Sequence, residues 1–255
     1  MVTNRTPQDE YYRKSHKIAV FIIIMYVIFA GLSLIQGLTN CHVLLVCTAV
    51  SVIIIFILEK SKDYYFNQGI YYRRLKLLDN AFNQLHEPKE ATFEYYDNDE
   101  IEPGIYKLFW DVYESAFFSQ FIVSKMLKVR YWLALIVIVF LLILFFMSGI
   151  NIYSFFVLSL VFSNAFLNRI NSFKTTNDSL DRLLEKSAVL ADDMKNKGNN
   201  KEDFMRRIMD IIINYESTIA ENKYSLSDII YTKNKEFLNS EWESIKKKYH
   251  LVNNY

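Results

Sequence analysis

The stretch IAVFIIIMYVIFAGLSLI, residues 18–35, holds no formal charge and no proline. A helix needs about 20 mostly apolar residues, with a lower limit near 17, to cross about 30 Å of hydrocarbon. This run meets that requirement, and its reading decides the fold. Three more runs follow: VLLVCTAVSVIIIFIL (43–58), WLALIVIVFLLILFFMSGI (132–150) and IYSFFVLSLVFSNAFL (152–167). All four lack Asp, Glu, Lys and Arg. The second and fourth are shorter, and alone they also suit buried core helices. Their neighbours supply the missing length: Leu38 to His42 before the second, Asn151 and Asn168 around the fourth. Each short run follows a long one after a few residues. The spacing predicts an all-α membrane protein with four transmembrane helices in two hairpins, residues 18–58 and 131–167.

The flanks set the orientation. Arg13, Lys14 and Lys17 precede the first run, and Lys60 and Lys62 follow the second. Lys125, Lys128 and Arg130 precede the third, and Arg169 and Lys174 follow the fourth. The short connections Gln36 to His42 and Ser148 to Asn151 hold neither Lys nor Arg. The positive-inside rule then puts both termini and the middle segment in the cytoplasm, with the protein in the cytoplasmic membrane. Tyr11, Tyr12, Tyr64, Tyr65, Tyr131 and Trp132 stand near the inner boundary, where an aromatic belt is expected. A cleaved leader fits less well. Asp9 and Glu10 lie ahead of the run, which exceeds the usual roughly 7–15 apolar residues, and Ala30-Gly31-Leu32-Ser33 is a poor cleavage site.

Whole-chain averages conceal this segregation. The chain has 29 Lys+Arg against 28 Asp+Glu, so its formal charge is +1 and no broad basic footprint points to DNA or RNA. Only 6 Gly and 3 Pro argue against turn-rich strand architectures and for long helices. Two cysteines, Cys41 and Cys47, exclude a disulfide scaffold.

The remaining segments read as cytoplasmic: a short N-terminus (1–17), a middle segment (59–130) and a tail (168–255). Residues 60–85 continue from the second run with Gly69 as the sole breaker. Ile70, Leu75, Leu77, Leu78, Ala81, Phe82 and Leu85 recur there at roughly helical spacing. Residues 86–104 form a solvated acidic loop with Pro88 and Pro103, and with a short extended piece at Thr92 to Tyr96. A second helix starts at Ile105 and presents Leu108, Phe109, Val112, Ala116, Phe117 and Phe121 before entering the third run. In the tail, Leu180, Leu183, Leu184, Ser187, Leu190, Ala191 and Met194 make a narrow heptad-like stripe. Lys195 to Lys201 ends that helix. Phe204, Ile208, Ile211, Ile212, Tyr215 and Ile219 define the next, and Ser225 to Asp228 offers the cap of a final helix.

Catalytic signatures are missing. There is no phosphate-cradling G-x-x-x-x-G-K-[ST], no G-x-G-x-x-G and no G-x-S-x-G. The four histidines are scattered without a second ligand at metal-site spacing. Asp97 to Glu102 starts like a calcium loop, but Glu102 stands where that loop needs glycine. The expectation is a non-enzyme with no cofactor and no metal. The membrane runs hold no His, Asp, Glu, Lys or Arg, which argues against a coupled transporter. Their polar residues, Ser159, Ser163 and Asn164 in the fourth run and Thr48 and Ser51 in the second, suit small-residue helix packing or a weakly selective pore lining. One chain with four helices hardly encloses a wide channel, so conduction would require a homo-oligomer. Basic residues beside aromatics are the candidate ligand contacts: Tyr72, Arg73, Arg74 and Lys76, then Arg206 and Arg207, then Tyr231 and Lys233. Such sets stack bases and pair phosphates, and equally they suit a solvated face or anionic headgroups.

The tail stretch Leu226-Ser227-Asp228-Ile229-Ile230-Tyr231-Thr232-Lys233-Asn234-Lys235-Glu236 places an acidic residue before an aromatic, then basic and acidic residues. Ala116 to Trp132 leads into the third run. With the two hairpins, these features resemble the SMODS-associating four-transmembrane effectors, bacterial proteins that accompany nucleotide-signalling enzymes in anti-phage defence. The resemblance covers most of the chain as architecture, and its motifs are short. The chain departs from the family in its shorter start and its long acidic loop. The resemblance implies an effector switched by a cyclic nucleotide, or by the partner protein that synthesises one. Such an effector would oligomerise in the lipid bilayer and breach the inner membrane. The competing expectation is a non-conducting scaffold or receptor that binds a partner through its cytoplasmic helices.

Overall fold

The computed structural model describes residues 7–39, 42–84, 98, 101–148, 167–197, 201–222 and 226–249. Among the described residues there are six α-helices and no strand. They are α1 (Pro7–Thr39), α2 (His42–Phe82), α3 (Ile105–Ser148), α4 (Leu167–Lys197), α5 (Lys201–Asn222) and α6 (Asp228–Lys248). The fourth apolar run, with Ser159, Ser163 and Asn164, and the extended piece expected at Thr92 to Tyr96 lie outside the described residues. The chain divides into two compact units. One comprises Met1–Pro7, Ile70–Met126 and Phe173–Tyr255; the other comprises Gln8–Gly69 and Leu127–Ser172.

The second unit contains an antiparallel pairing of α1 with α2. Tyr12 packs on Phe66 with ring centroids 5.5 Å apart. Ser15 Oγ donates to the Lys62 carbonyl at 3.1 Å, and Tyr26 Oη donates to Glu59 Oε1 at 3.2 Å. Positions rising along α1 thus meet positions falling along α2, as a hairpin requires. Helix α1 reaches Thr39, which makes the connection shorter than the expected Gln36 to His42. Gly37 costs only about 1 kcal/mol within a helix, too little to stop this run. Most of the described apolar side chains here are not buried. Phe21, Ile23 and Ile24 on α1, Val52, Ile53 and Phe56 on α2, and Trp132, Leu135 and Ile136 on α3 are all exposed. Among the described residues one helix, α2, is long and apolar enough to cross a membrane.

The first unit holds an ordinary apolar core. Trp110 from α3 and Trp242 from α6 are its largest fully buried side chains. Their rings lie 6.3 Å apart, and Tyr113 meets Trp242 edge-on at 5.5 Å. The heptad-like stripe of α4 is used here: Leu180, Leu183, Ser187, Leu190 and Ala191 are buried. Ile208, Ile211 and Tyr215 bring in α5. Ile70, Leu77 and Ala81 bring in the end of α2, while Leu78 and Phe82 of the expected face remain exposed.

Local chemistry ends the helices. Asn83 takes a left-handed conformation (φ 50°) after α2, and the Gln84 N–H donates to the Asp79 carbonyl at 3.2 Å. This is a Schellman-type cap with Asn in the place usually held by Gly. The Gly104 N–H donates to the Ala81 carbonyl at 2.7 Å. Gly104 has φ 150°, a conformation that side chains disfavour, so glycine suits this approach to the end of α2. Ser227 caps α6 by accepting from the Ile230 N–H, and Lys246, Lys247 and Lys248 occupy its last turn, where cations suit the helix dipole.

Candidate functional site

Arg73 and Arg74, adjacent on α2, converge on one carboxylate. Arg73 Nη2 donates to both Oε1 and Oε2 of Glu216, each at 2.7 Å. Arg74 Nε donates to Glu216 Oε2 at 2.7 Å, and Arg74 Nη2 reaches the Glu216 backbone carbonyl at 3.5 Å. Glu216 lies on α5, directly after Tyr215. The Arg73 guanidinium carbon stands 5.2 Å from the centroid of the Tyr215 ring, a cation–π arrangement. Tyr215 is buried, and its hydroxyl is 3.5 Å from Ser119 Oγ on α3. This backing holds the aromatic wall in place.

Burial decides how strong the cluster is. The Arg73 and Glu216 side chains are 11% and 15% exposed, whereas Arg74 is 45% exposed. A fully exposed pair contributes about 0–1 kcal/mol, and a shielded hydrogen bond to a charged group contributes about 1.5–3 kcal/mol. The Arg73 contacts belong nearer the second class, and the Arg74 contact nearer the first. Chemically, two guanidiniums aimed at one anion form a fork that matches carboxylate and phosphate alike. Beside it, Tyr71 is exposed and meets the half-buried Tyr72 ring edge-on at 5.4 Å. Lys76 is half-buried one turn further along.

The other basic candidates lie apart from this fork in their contacts. Arg206 pairs with Asp203 at 3.2 Å within its own helix and is largely exposed. Arg207 reaches across to Asp193 of α4 at 2.7 Å. Nearby, Lys186 pairs with Asp210 at 2.9 Å, and the Lys186 hydrogen bond holds the Asp210 carboxyl below its usual range. These contacts join α4 to α5. Tyr231 meets the Phe118 ring at a tilt of 40°, with centroids 6.3 Å apart. Burial, and then the Glu114 charge, push its hydroxyl upward in pKa. Lys233 is exposed on α6. In the second run, Thr48 Oγ1 donates to the Leu45 carbonyl at 2.8 Å and Ser51 Oγ to the Thr48 carbonyl at 2.7 Å. Both hydroxyls bond their own helix, and Ser51 is buried.

Two features are not legible in the sequence. Nothing beside Arg73 points to Glu216 as its partner, because the pairing spans 143 positions. Asn98, within the acidic loop expected to be solvated, is buried at 1% exposure. Its Nδ2 donates to Asp111 Oδ1 at 2.9 Å and to Glu114 Oε2 at 2.8 Å, while Asn80 Nδ2 donates to Asp111 Oδ2 at 2.8 Å. At Asn98 the loop is therefore anchored on α3. The only local signal was an amide between two aspartates, Asp97 and Asp99, in a run otherwise rich in carboxylates.

Comparison of the chain with protein-family models, with curated proteins and with solved structures finds no match.

Proposed function

We propose that this chain is a multi-pass effector of the cytoplasmic membrane. It spans the bilayer four times with both termini inside, oligomerises, and forms or gates a pore when its cytoplasmic helices receive a signal. The observation that carries this reading is the exposure of Phe21, Ile24, Ile53, Phe56, Leu135 and Ile136 on three different helices, all in charge-free segments. Apolar surface on that scale calls for a lipid or protein environment. The long α2, at about 1.5 Å rise per residue, extends about 60 Å, twice the hydrocarbon thickness. It therefore has length to spare for a cytoplasmic extension. The missing catalytic signatures favour an effector that acts by changing assembly. The resemblance to the four-transmembrane effectors favours a cyclic nucleotide, or the enzyme that makes it, as the signal, and anti-phage defence as the setting. Differential affinity of that signal for two assemblies would shift the membrane helices between closed and open states.

The scaffold reading has less support. Of the cytoplasmic helices that it would dock through, α4 carries the heptad-like stripe, and Leu180, Leu183, Leu190 and Ala191 of that stripe are buried within their own unit. Expression in cells alongside the activating partner tests the proposal. The membrane potential should collapse; unchanged potential, with the protein verified in the membrane, would reject a pore.

A further inference from the structure

We propose that Arg73 and Arg74 form a phosphate site whose occupancy is controlled by Glu216, an internal anion that competes with the ligand. The inference deepens the signal-receiving role proposed above and rests on it for its biological setting. The fork is already assembled. Arg73 Nη2 lies 2.7 Å from both Glu216 carboxylate oxygens, and Arg74 Nε lies 2.7 Å from one of them. A phosphoryl group offers oxygens of the same charge to the same donors. Tyr215 supports Arg73 from its face at 5.2 Å, so the guanidinium stays oriented when its anion changes.

Access is asymmetric. Arg74 is 45% exposed and Arg73 is 11% exposed, so an incoming anion meets Arg74 first. Exposed Tyr71 stands three residues before Arg74, on the same face of α2, and so puts an aromatic ring beside the more open arginine, where a base attached to that phosphate could stack. Full engagement of Arg73 requires the Glu216 carboxylate to leave. Glu216 sits on α5 and the arginines on α2, so its departure loosens the polar tie between these helices. Ligand binding and the α2–α5 tie are thus mutually exclusive, and occupancy becomes a change in helix docking. The shared chemistry is an accessible phosphate, carried either by a soluble nucleotide or by an anionic lipid headgroup.

The test uses the full chain purified in a neutral detergent, with inorganic pyrophosphate as the soluble probe and phosphatidylglycerol in mixed micelles as the lipid probe. Removing the competitor in Glu216→Gln should tighten binding of at least one probe by about fivefold or more, the lower end of ordinary coupling between linked events. Arg74→Gln should weaken it. In the unsubstituted protein, saturating probe should speed amide hydrogen exchange in the last turns of α5, which requires no variant to fold. Acceleration by pyrophosphate identifies a soluble ligand, and acceleration by phosphatidylglycerol alone identifies a headgroup; either supports the site. Equal affinities in wild type and E216Q, or unchanged α5 exchange with both probes, would overturn it. Loss of conduction in a separate assay would bear on the pore and leave this result standing.

Discussion

Tyr12 lies directly against Gly69. A side-chain carbon at position 69 would stand 2.7 Å from Tyr12 Cε1 and 2.8 Å from Cδ1, closer than packed atoms tolerate. Glycine in mid-helix costs about 1 kcal/mol relative to alanine, and here it lets α1 approach α2. The Phe66 ring on one side restricts how far Tyr12 can retreat. Gly69→Val should therefore overpack the pair and destabilise this unit by about 1–3 kcal/mol. Thermal unfolding in detergent measures the loss. Tyr12→Ala in the same chain should recover much of it, and strict additivity of the two losses would sink the explanation.

Trp242 should dominate the stability of the other unit. It is buried against Trp110, Tyr113 and Phe117. Trp242→Ala removes a large side chain from a closed core, which costs about 3–5 kcal/mol. Near-ultraviolet circular dichroism should lose most of its aromatic signal well before the wild type does on heating.

Asn98 should matter more than its place in an acidic loop suggests. Its amide satisfies two buried carboxylates, and Asn98→Leu leaves them short of a donor. An unmade hydrogen bond of this kind costs about 1–3 kcal/mol. Chemical unfolding should register that loss for Asn98→Leu and little change for Glu241→Gln, at an exposed position on α6.

Two tyrosines predict the response to alkali. Burial raises the Tyr113 hydroxyl, with Tyr249 and Asp192 adding to it; burial and then Glu114 raise Tyr231. A group raised in the folded state contributes stability that is complete below its unfolded value, here 10.0, and is lost as pH climbs through the folded value. Unfolding midpoints should fall above pH 10 in the wild type, and Tyr231→Phe should flatten part of that fall. Phenolate absorbance should show both rings titrating late.

The helices were legible in the sequence, and the reasons are local. Charge-free runs, the change of pattern near Gly198, and Ser227 ahead of an apolar face each report on neighbouring residues. Gly69 was visible as an interruption, but its cause, Tyr12, lies 57 positions away and on another helix. The candidate site was half legible for the same reason. Tyr72, Arg73 and Arg74 stood out as a basic-aromatic group, while nothing near Glu216 announces that its carboxylate returns to α2. The stripe of α4 was legible as a face, but not what covers it: a heptad pattern records a face that must be covered, and here Leu180, Leu183 and Leu190 are covered within the chain.

The pore itself is tested most directly by reconstituting the purified full chain into planar bilayers and recording current with and without pyrophosphate. Discrete, stepwise conductance from a defined homo-oligomer is the predicted result. Bilayers that stay electrically silent under both conditions, with the oligomer verified in the membrane, would contradict the account.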